Sequence, residues 1–502
     1  MQKTKQKIKT KLIGPIVGAV SMFVVIAFSQ NIFAQEQYQQ APALIHISSI
    51  ISDGLYAPEQ IVAIAREAGF EIVILNEREI MRWEYGLWPL RNIIKKTVEN
   101  NSLAVFGIKN YFKLIEEINR KAKDIIVIPG VESTPFYFWS GSIFAKNFTL
   151  NDAHKHLLII GLSQTALANL PVVGNRFSLY ENYQLESIIN FWPILVLLTG
   201  FLLVFNSKKK YFRNSLEIEA YRNKKIFAII LSCLGLIFCL NNYPFKTLLF
   251  DQYHGDRGVL PYQKVIDYVN KQGGMVFWAH PEAENCSKTQ YVDIITKKHV
   301  QDFYNTRNYA GFSVFYEGYE LIGKPGGLWD KVLKEYLEGK RQKPVWAIAG
   351  LAFDFSKDLK ESLKDLRNMV LIDDFSNKGV LDALNQGRVY AIRGQKSSEF
   401  ILDNFSIEDP ESQEVKVMGQ TLITNSPDIK IKIKGHFIDK NKINQVIQVY
   451  LIKNGKIIKI FSEKDLFDIE FTAEKSKDKK DFYRIEIKST GLHLITNPIF
   501  VN

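Results

Sequence analysis

Five side chains able to ligate a metal or move a proton lie in or at the ends of short apolar stretches. They are His46 in "LIHIS", Glu132 in "VIPGVE", His156 in "HKHLLIIGL", His280 in "MVFWAHP" and Asp354 in "VWAIAGLAFD". The proline after His280 stops its strand and leaves the imidazole at the rim. Imidazoles and carboxylates gathered from several strand ends suit a divalent-metal site, in which neutral nitrogens and anionic oxygens share one cation. Singly, each has a plainer role: a buried histidine is usually a hydrogen-bonded core residue, and an acid at a strand end usually caps a helix.

Bringing the five together requires a frame of strands. From Ala43 apolar strands alternate with helices: "ALIHI", the amphipathic "APEQIVAIAREAGF" ending at Gly69, "EIVIL", the helical run "YFKLIEEINRKAK", then "DIIVIPGVE" and "HLLIIGL". After a long apolar interruption come the helix "PYQKVIDYVNKQGG", "MVFWAHP", "YAGFSVFYEGYELI", the helix "LWDKVLKEYLEGK" and "PVWAIAGLAFD". Such alternation implies a parallel sheet or barrel covered by helices. Past "DALNQGRVYAIRG" the period changes to two, in "IKIKIKG", "QVIQVYLIKNGKIIKIF", "DIEFTAE" and "FYRIEIKS", with Asn454-Gly455 as a hairpin turn. That region is expected to be a small antiparallel sandwich.

The order and spacing of these segments resemble the PHP (polymerase and histidinol phosphatase) domain. The likeness runs from "LIHISSIISDGLYAPEQIVAIAREAGFEIVILNERE" through "IPGVEST", "HLLIIGL" and "GGMVFWAHP" to "AGLAFDF" and "LDALNQGRVYA". It implies an irregular (β/α)7 barrel, a site for up to three metals and, in many members, hydrolysis of phosphate esters. By resemblance Glu132, His156 and His280 hold one ion, and His46, Glu132 and Asp354 a second. Ser48 stands where the family has the second histidine of its first motif, and Glu77 and Arg78 where it has Asp-His, so by resemblance Glu77, a near-match to the aspartate, is expected among the metal ligands. No histidine follows Asp354, only Ser356 and Lys357. The third ion therefore lacks its imidazoles. Either Arg78 supplies fixed positive charge and a two-pronged donor in its place, or it pairs with Glu77, Glu79 or an orphaned carboxylate. Among the remaining polar residues, His154 is a second candidate for the place of His156, and Asp53 in "SDG" is expected to shape its turn. His254, His299, His436 and His493 read as ordinary surface or core residues.

The chain has 502 residues and a formal net charge of +11. Five lysines lie in "MQKTKQKIKTK", and "SKKKYFRNSLEIEAYRNKK" carries seven Lys/Arg against two Glu, a surplus of five. The rest of the chain therefore carries about +1 (11 − 10), which argues against a nucleic-acid binder with a basic face. The charge flanks apolar segments instead. Residues 1–35 read as a signal peptide cut near Ala34 or as an uncleaved N-terminal anchor. Residues 186–245 read as a transmembrane hairpin, with Ile188 to Phe205 and Ile226 to Phe245 crossing the bilayer and a basic cytoplasmic loop at 207–225. The bland alternative is a pair of buried core helices. The three cysteines include two inside the hairpin, so the soluble part holds no internal disulfide.

The expected architecture is thus α/β: a PHP-like barrel in two parts, 43–185 and 246–396, split by the hairpin and followed by a β-sandwich at 397–502. The expected activity is that of an exported, membrane-tethered phosphoesterase using divalent ions (zinc, manganese or magnesium), with Arg78, Glu132 and Asp354 catalytic. Its partners would be the bilayer and a small phosphate ester; the sequence names none for the sandwich. The competing expectation is a catalytically inactive envelope scaffold, for which the missing histidines speak.

Overall fold

The computed structural model describes residues 38–142, 144–175, 185–206, 215–246, 250–352, 358–438, 445–476 and 480–502. Residues 1–35, Asp354, Ser356 and Lys357, and the first part of the basic loop lie outside these.

The chain is a mixed α/β structure. Seven strands are β1 (Gln39–Ile47), β2 (Ile72–Arg78), β3 (Ile126–Ser133), β4 (Leu157–Ile160), β5 (Met275–Trp278), β6 (Gly311–Phe315) and β7 (Trp346–Ala349). They neighbour one another in chain order, parallel except for β4, which runs antiparallel to both β3 and β5. The ends of this run meet: Leu351 N–H donates to the Ile45 carbonyl (2.9 Å) and Ala352 N–H to that of His46 (3.0 Å).

The strands are apolar on both faces, as helix-covered strands must be. Ile72 and Ile74 of β2 pack in one core with Ile45, Ile128, Leu158 and Phe277, while Val73 and Leu75 pack outward with Ile61, Tyr111 and Ile115. The last three come from helices α1 (Pro58–Glu67) and α2 (Ile108–Lys121). Pro58 starts α1 at a position where its missing N–H costs nothing, and Gly69, at φ +78°, turns the chain out of it.

Two further strands, β8 (Leu366–Ile372) and β9 (Val389–Arg393), extend the sheet from the first half of β1. The outer edge of β7 is satisfied by side chains. Asn368 exchanges two bonds with the Ala349 backbone (2.7 Å each), and Asn497 accepts from Ala347 N–H (2.8 Å) and donates to its carbonyl (3.2 Å). Amides substitute here for a strand ladder, because buried backbone groups cannot be left unpaired.

The C-terminal region holds β10 (Phe400–Glu408), β11 (Asp428–Phe437), β12 (Val446–Lys453), β13 (Lys456–Lys464), β14 (Leu466–Glu474), β15 (Asp481–Ser489) and β16 (Leu492–Thr496). β9 pairs with β16, so one sheet passes from β1 through β8, β9, β16, β15 and β12 to β13 across residue 396. A second sheet, containing β10, β11 and β14, packs on it around a shared core. Leu371, Tyr390 and Ile392 of β8 and β9 belong to that core. The turn between β12 and β13 is Asn454-Gly455, both at positive φ (50° and 79°), as a two-residue hairpin requires.

Between α/β and sandwich lies a buried ion network. Arg484 on β15, at 0% exposure, spans both oxygens of Asp330 (3.0 Å each) and reaches Glu486 (2.9 Å), with its guanidinium over the Trp329 ring at 4.7 Å. Asp330 lies in helix α3 (Leu328–Leu337).

Two helices leave this body. The stretches Ser187–Phe205 and Ile218–Asn242 are long and apolar enough to cross a membrane, with mean hydropathy 2.3 and 1.9 and only 11% and 17% of their windows buried. Their backbones approach closely at glycines: a Cβ on Gly200 would lie 2.4 Å from Ser232 Oγ, and one on Gly235 would lie 2.6 Å from Leu197 Cα. The second helix begins at Ser215, so the later part of the expected basic loop is helical. "SLEIEAYRNKK" has no proline or glycine to end a helix before the apolar run.

Removing one partner from the buried Arg484 network leaves a charge without compensation. Asp330→Ala should lower unfolding stability by about 3 kcal/mol in urea titration of the full chain in detergent; a loss below about 1 kcal/mol would show the network to be dispensable.

Candidate metal centre

His46 sits where the pairing of β1 with β2 shifts register between Ile45 and Ile47. Its φ of +68° is a conformation that residues with a Cβ rarely adopt. Its surroundings hold it there: its N–H donates to Asn76 Oδ1 (3.1 Å) and its carbonyl accepts from Ala352. Gly350 stands against its ring, where a Cβ would come within 3.0 Å of Nδ1.

Arg78, at the end of β2, lies in register with Glu132 on β3. Because side chains alternate along a strand, Glu77 faces the other way. Its carboxylate, fully buried, accepts from Ser49 N–H (3.0 and 3.1 Å) and Ser52 Oγ (2.5 Å). Glu77 therefore braces the turn after β1 and does not line the pocket, against the expectation that it stands among the ligands. Burial raises its pKa against the lowering effect of those bonds.

Glu132 is the hub. Its Oε1 lies 2.7 Å from His156 Nδ1, 2.9 Å from Arg78 Nη1 and 3.7 Å from His280 Nε2, and its Oε2 lies 3.1 Å from His46 Nε2. Burial alone would push its pKa up; Arg78, His46 and His156 hold it well below the ordinary range. Arg78 also pairs through Nε with Asp53 (2.7 Å). Burial raises the Asp53 pKa, and Arg78 outweighs it, leaving it lowered.

Without an ion, His156 Nδ1 at 2.7 Å from the Glu132 carboxylate is the nitrogen that donates; an Nε2–H given instead to the Ala153 carbonyl, 3.2 Å away, would leave Nδ1 to a metal. Burial, then Arg78, keeps the pKa of His156 well below its usual value. His156 Nδ1, His280 Nε2 and Glu132 Oε1 lie 2.7, 3.0 and 3.7 Å apart. Ligands on arms of 2.0–2.1 Å around a tetrahedral ion stand about 3.4 Å apart, so the set fits a small divalent cation. Among the described residues, the buried Nδ1 atoms of His46 and His280 have no hydrogen-bond partner.

The cluster opens into a pocket of about 270 Å³, lined also by Ser48, Asp53, His154, Glu284, Asn285, Tyr316 and Glu317. Of the residues singled out from sequence, His46, Arg78, Glu132, His156 and His280 come together, Glu77 does not, and Asp354 is outside the described residues. Asp53, read as a turn residue, is the second anchor of Arg78; its signal was an acid in the loop that follows a site-bearing strand. His154 lines the pocket beside His156, with burial and then Arg78 lowering its pKa. His299, buried behind His280, has its pKa pushed down to about 3 by burial.

No protein-family model and no curated protein matches this chain. Several solved structures are similar to it, among them two described as metal-dependent phosphoesterases. One is a two-domain protein containing a predicted PHP-like metal-dependent phosphoesterase from Bacteroides vulgatus ATCC 8482, 13% identical, TM-score 0.34, covering 90% of this chain and 91% of that one. The other is a proposed metal-dependent phosphoesterase from Bifidobacterium adolescentis ATCC 15703, 12% identical, TM-score 0.25, covering 62% of this chain and 87% of that one. At such values the likeness says nothing of chemistry, which the residues of this chain must carry.

Behind Glu132, the Glu79 carboxyl is buried and accepts from Ser133 Oγ, and burial raises its pKa to about 7. A carboxyl whose pKa is raised on folding contributes stability below its unfolded pKa and loses it as pH rises through the folded one. Glu79→Gln should thus match the wild type near pH 4.5 and exceed it above pH 7 by on the order of 3 kcal/mol. Equal stability differences at both pH values in chemical unfolding would refute this.

Proposed function

We propose that this chain is a membrane-tethered, exported phosphoesterase with a reduced one- or two-ion site in a PHP-like barrel formed by β1 to β7. The observation that carries the reading is the convergence of His156 Nδ1, His280 Nε2 and Glu132 Oε1 at separations an ion can bridge. These three would hold one ion; His46 and Glu132, with Asp354, would hold a second. Bound divalent ions of this kind acidify a water and polarise a phosphoryl oxygen. Arg78 supplies the remaining positive charge. Its Nε and Nη1 are held by Asp53 and Glu132, and no partner of Nη2 is found among the described residues. A phosphoryl oxygen entering the pocket meets a preorganised guanidinium donor that needs no reorientation.

The tether is the pair of apolar helices. By the excess of Lys/Arg between them the loop is cytoplasmic and the soluble body lies on the other side. Their lipid-facing residues, such as Leu195 (68% exposed), Phe205 (77%) and Leu240 (62%), are too exposed for core helices.

One observation favours a second reading. Arg78 Nη1 lies 2.9 Å from Glu132 Oε1 and 3.0 Å from His156 Nδ1, the atoms an ion would use. A guanidinium that permanently neutralises the cluster would make the protein a non-catalytic scaffold of the envelope.

Metal analysis and kinetics separate the two. The purified full chain should carry one or two divalent ions, and His156→Ala or His280→Ala should lose one. Arg78→Lys should keep the ions yet cut p-nitrophenyl phosphate hydrolysis by roughly a hundredfold, because lysine keeps the charge and loses the planar fork. Glu132→Gln should abolish hydrolysis. No bound ion after incubation with zinc or manganese would leave the scaffold reading standing.

A further inference from the structure

The strands Arg82–Gly86 and Lys95–Glu99 form a β-hairpin that rises from the body after β2. Its tip, "LWPLRNII", is apolar and exposed: Leu87 51%, Trp88 79%, Ile93 46% and Ile94 50%. Arg91, the one charge in the tip sequence, is turned back over the Tyr253 ring at 4.1 Å. The tip is not floppy. A Cβ on Gly86 would lie 2.0 Å from the Arg91 carbonyl, so the turn is closed tightly over itself. Gly86 N–H donates to Tyr253 Oη (2.9 Å) and Leu87 N–H to the Ile94 carbonyl (2.9 Å).

The tip is also fixed to the apolar helices, and at one particular level of them. Asn92 N–H donates to Asn241 Oδ1 (3.0 Å), Asn92 Nδ2 to the Asn241 carbonyl (2.6 Å), and Asn241 Nδ2 to the Pro89 carbonyl (3.4 Å). Asn241 lies in the last turn of the helix Ser215–Asn242, and Asn242 Nδ2 donates to the carbonyl of Asn190, near the start of the other helix (3.0 Å). Both helices thus reach the body at the height where the tip is bound. Trp192 (43% exposed) and Tyr243 (68%) mark the same height. Aromatic side chains with one apolar and one polar end collect at the boundary between acyl chains and headgroups.

We infer that the tip Leu87–Ile94 is a third membrane contact, seated in the interfacial layer of the bilayer beside the two helices. The inference rests on the proposal that those helices cross a membrane. Its occupant is lipid: the exposed apolar side chains stand where the tip is bonded to the end of an apolar helix, and the tip's one charge, Arg91, lies over the Tyr253 ring. The contact also restrains the body. Two helices alone leave it able to tilt about their ends, whereas a third point held by several hydrogen bonds does not. The strand Arg82–Gly86 follows four residues after Arg78, and its Glu84 carbonyl accepts from Trp139 Nε1 (2.9 Å). Trp139 belongs to the small sheet containing Asn285–Lys288, whose first residue lines the pocket. The end of the body that carries the pocket is thus held toward the bilayer surface.

The test uses the full chain in phosphatidylcholine vesicles. Cys233, Cys239 and Cys286 are replaced by serine, and single cysteines are placed by Trp88→Cys, Ile94→Cys or, in the sandwich, Ile458→Cys; a fourth protein retains Cys233 alone. Each carries an environment-sensitive fluorophore and is quenched with lipids spin-labelled near the headgroup or at the chain centre. We expect labels at 88 and 94 to be quenched by the headgroup-proximal lipid at least threefold more than the label at 458. Quenching of the label at Cys233 by the chain-centre lipid, with 88 and 94 no more quenched than 458, would overturn the inference while leaving the membrane helices, and the tip would then be a surface for another protein. Absence of quenching at Cys233 as well would remove the membrane reading and the inference with it. Agreement of positions 88 and 94 guards against a local effect of either replacement.

Discussion

The carboxylate of Glu132 is the constraint around which this structure is arranged. It is 5% exposed, and an isolated anion at that depth is costly. Three strand ends answer it: His46 from β1, Arg78 from β2 and His156 from the start of β4. Asp53 then shares the charge that Arg78 brings. Glu132, Asp53 and Arg78 together keep a single negative charge, and a divalent cation would enter by sharing the ligands that Arg78 now contacts. Whether the guanidinium cooperates with an ion or stands in for it is a question of competition for the same two atoms, His156 Nδ1 and Glu132 Oε1.

The pocket wall is tied to the C-terminal sandwich through backbone capping. Glu317, which lines the pocket, accepts at its carbonyl from Glu282 N–H (2.9 Å). The Glu282 carboxylate in turn accepts from the N–H groups of Glu320, Leu321 and Ile322 at 2.8 to 3.0 Å. One residue before them, Tyr319 donates to Glu486 (2.9 Å) in the buried network of Arg484. The sandwich is therefore a buttress of the pocket as well as an appended domain. With the sheet running unbroken through β9 and β16, the two regions share backbone hydrogen bonds and a core.

Local pattern made a good part of this legible. The alternation of apolar strands with amphipathic helices, the switch to period two after Gly394, the Asn454-Gly455 turn and the two apolar helices each depend on residues close in sequence. His46, Glu132 and His280 were findable because a polar residue capable of ligation at the end of an apolar strand is conspicuous. Arg78 was open to two readings, and the contacts show it paired with Glu132 and Asp53, while its use on a substrate is proposed above.

What depends on pairs distant along the chain was decided only by the tertiary structure. Glu77 and Arg78 are adjacent carriers of opposite charge, and the side of β2 that faces the pocket separates them. Asp53 looked like a turn residue because its partner lies 25 residues away. The asparagines that satisfy the edge of β7, Asn368 and Asn497, sit in stretches that otherwise read as strand and loop. The tip Leu87–Ile94 has no periodicity to announce it, and its meaning comes from Asn241, about 150 residues on. Propensity and patterning act over a few residues, so they determine elements. Burial of charge, pairing of backbone edges and the meeting of surfaces act across the whole chain, and they determine the site.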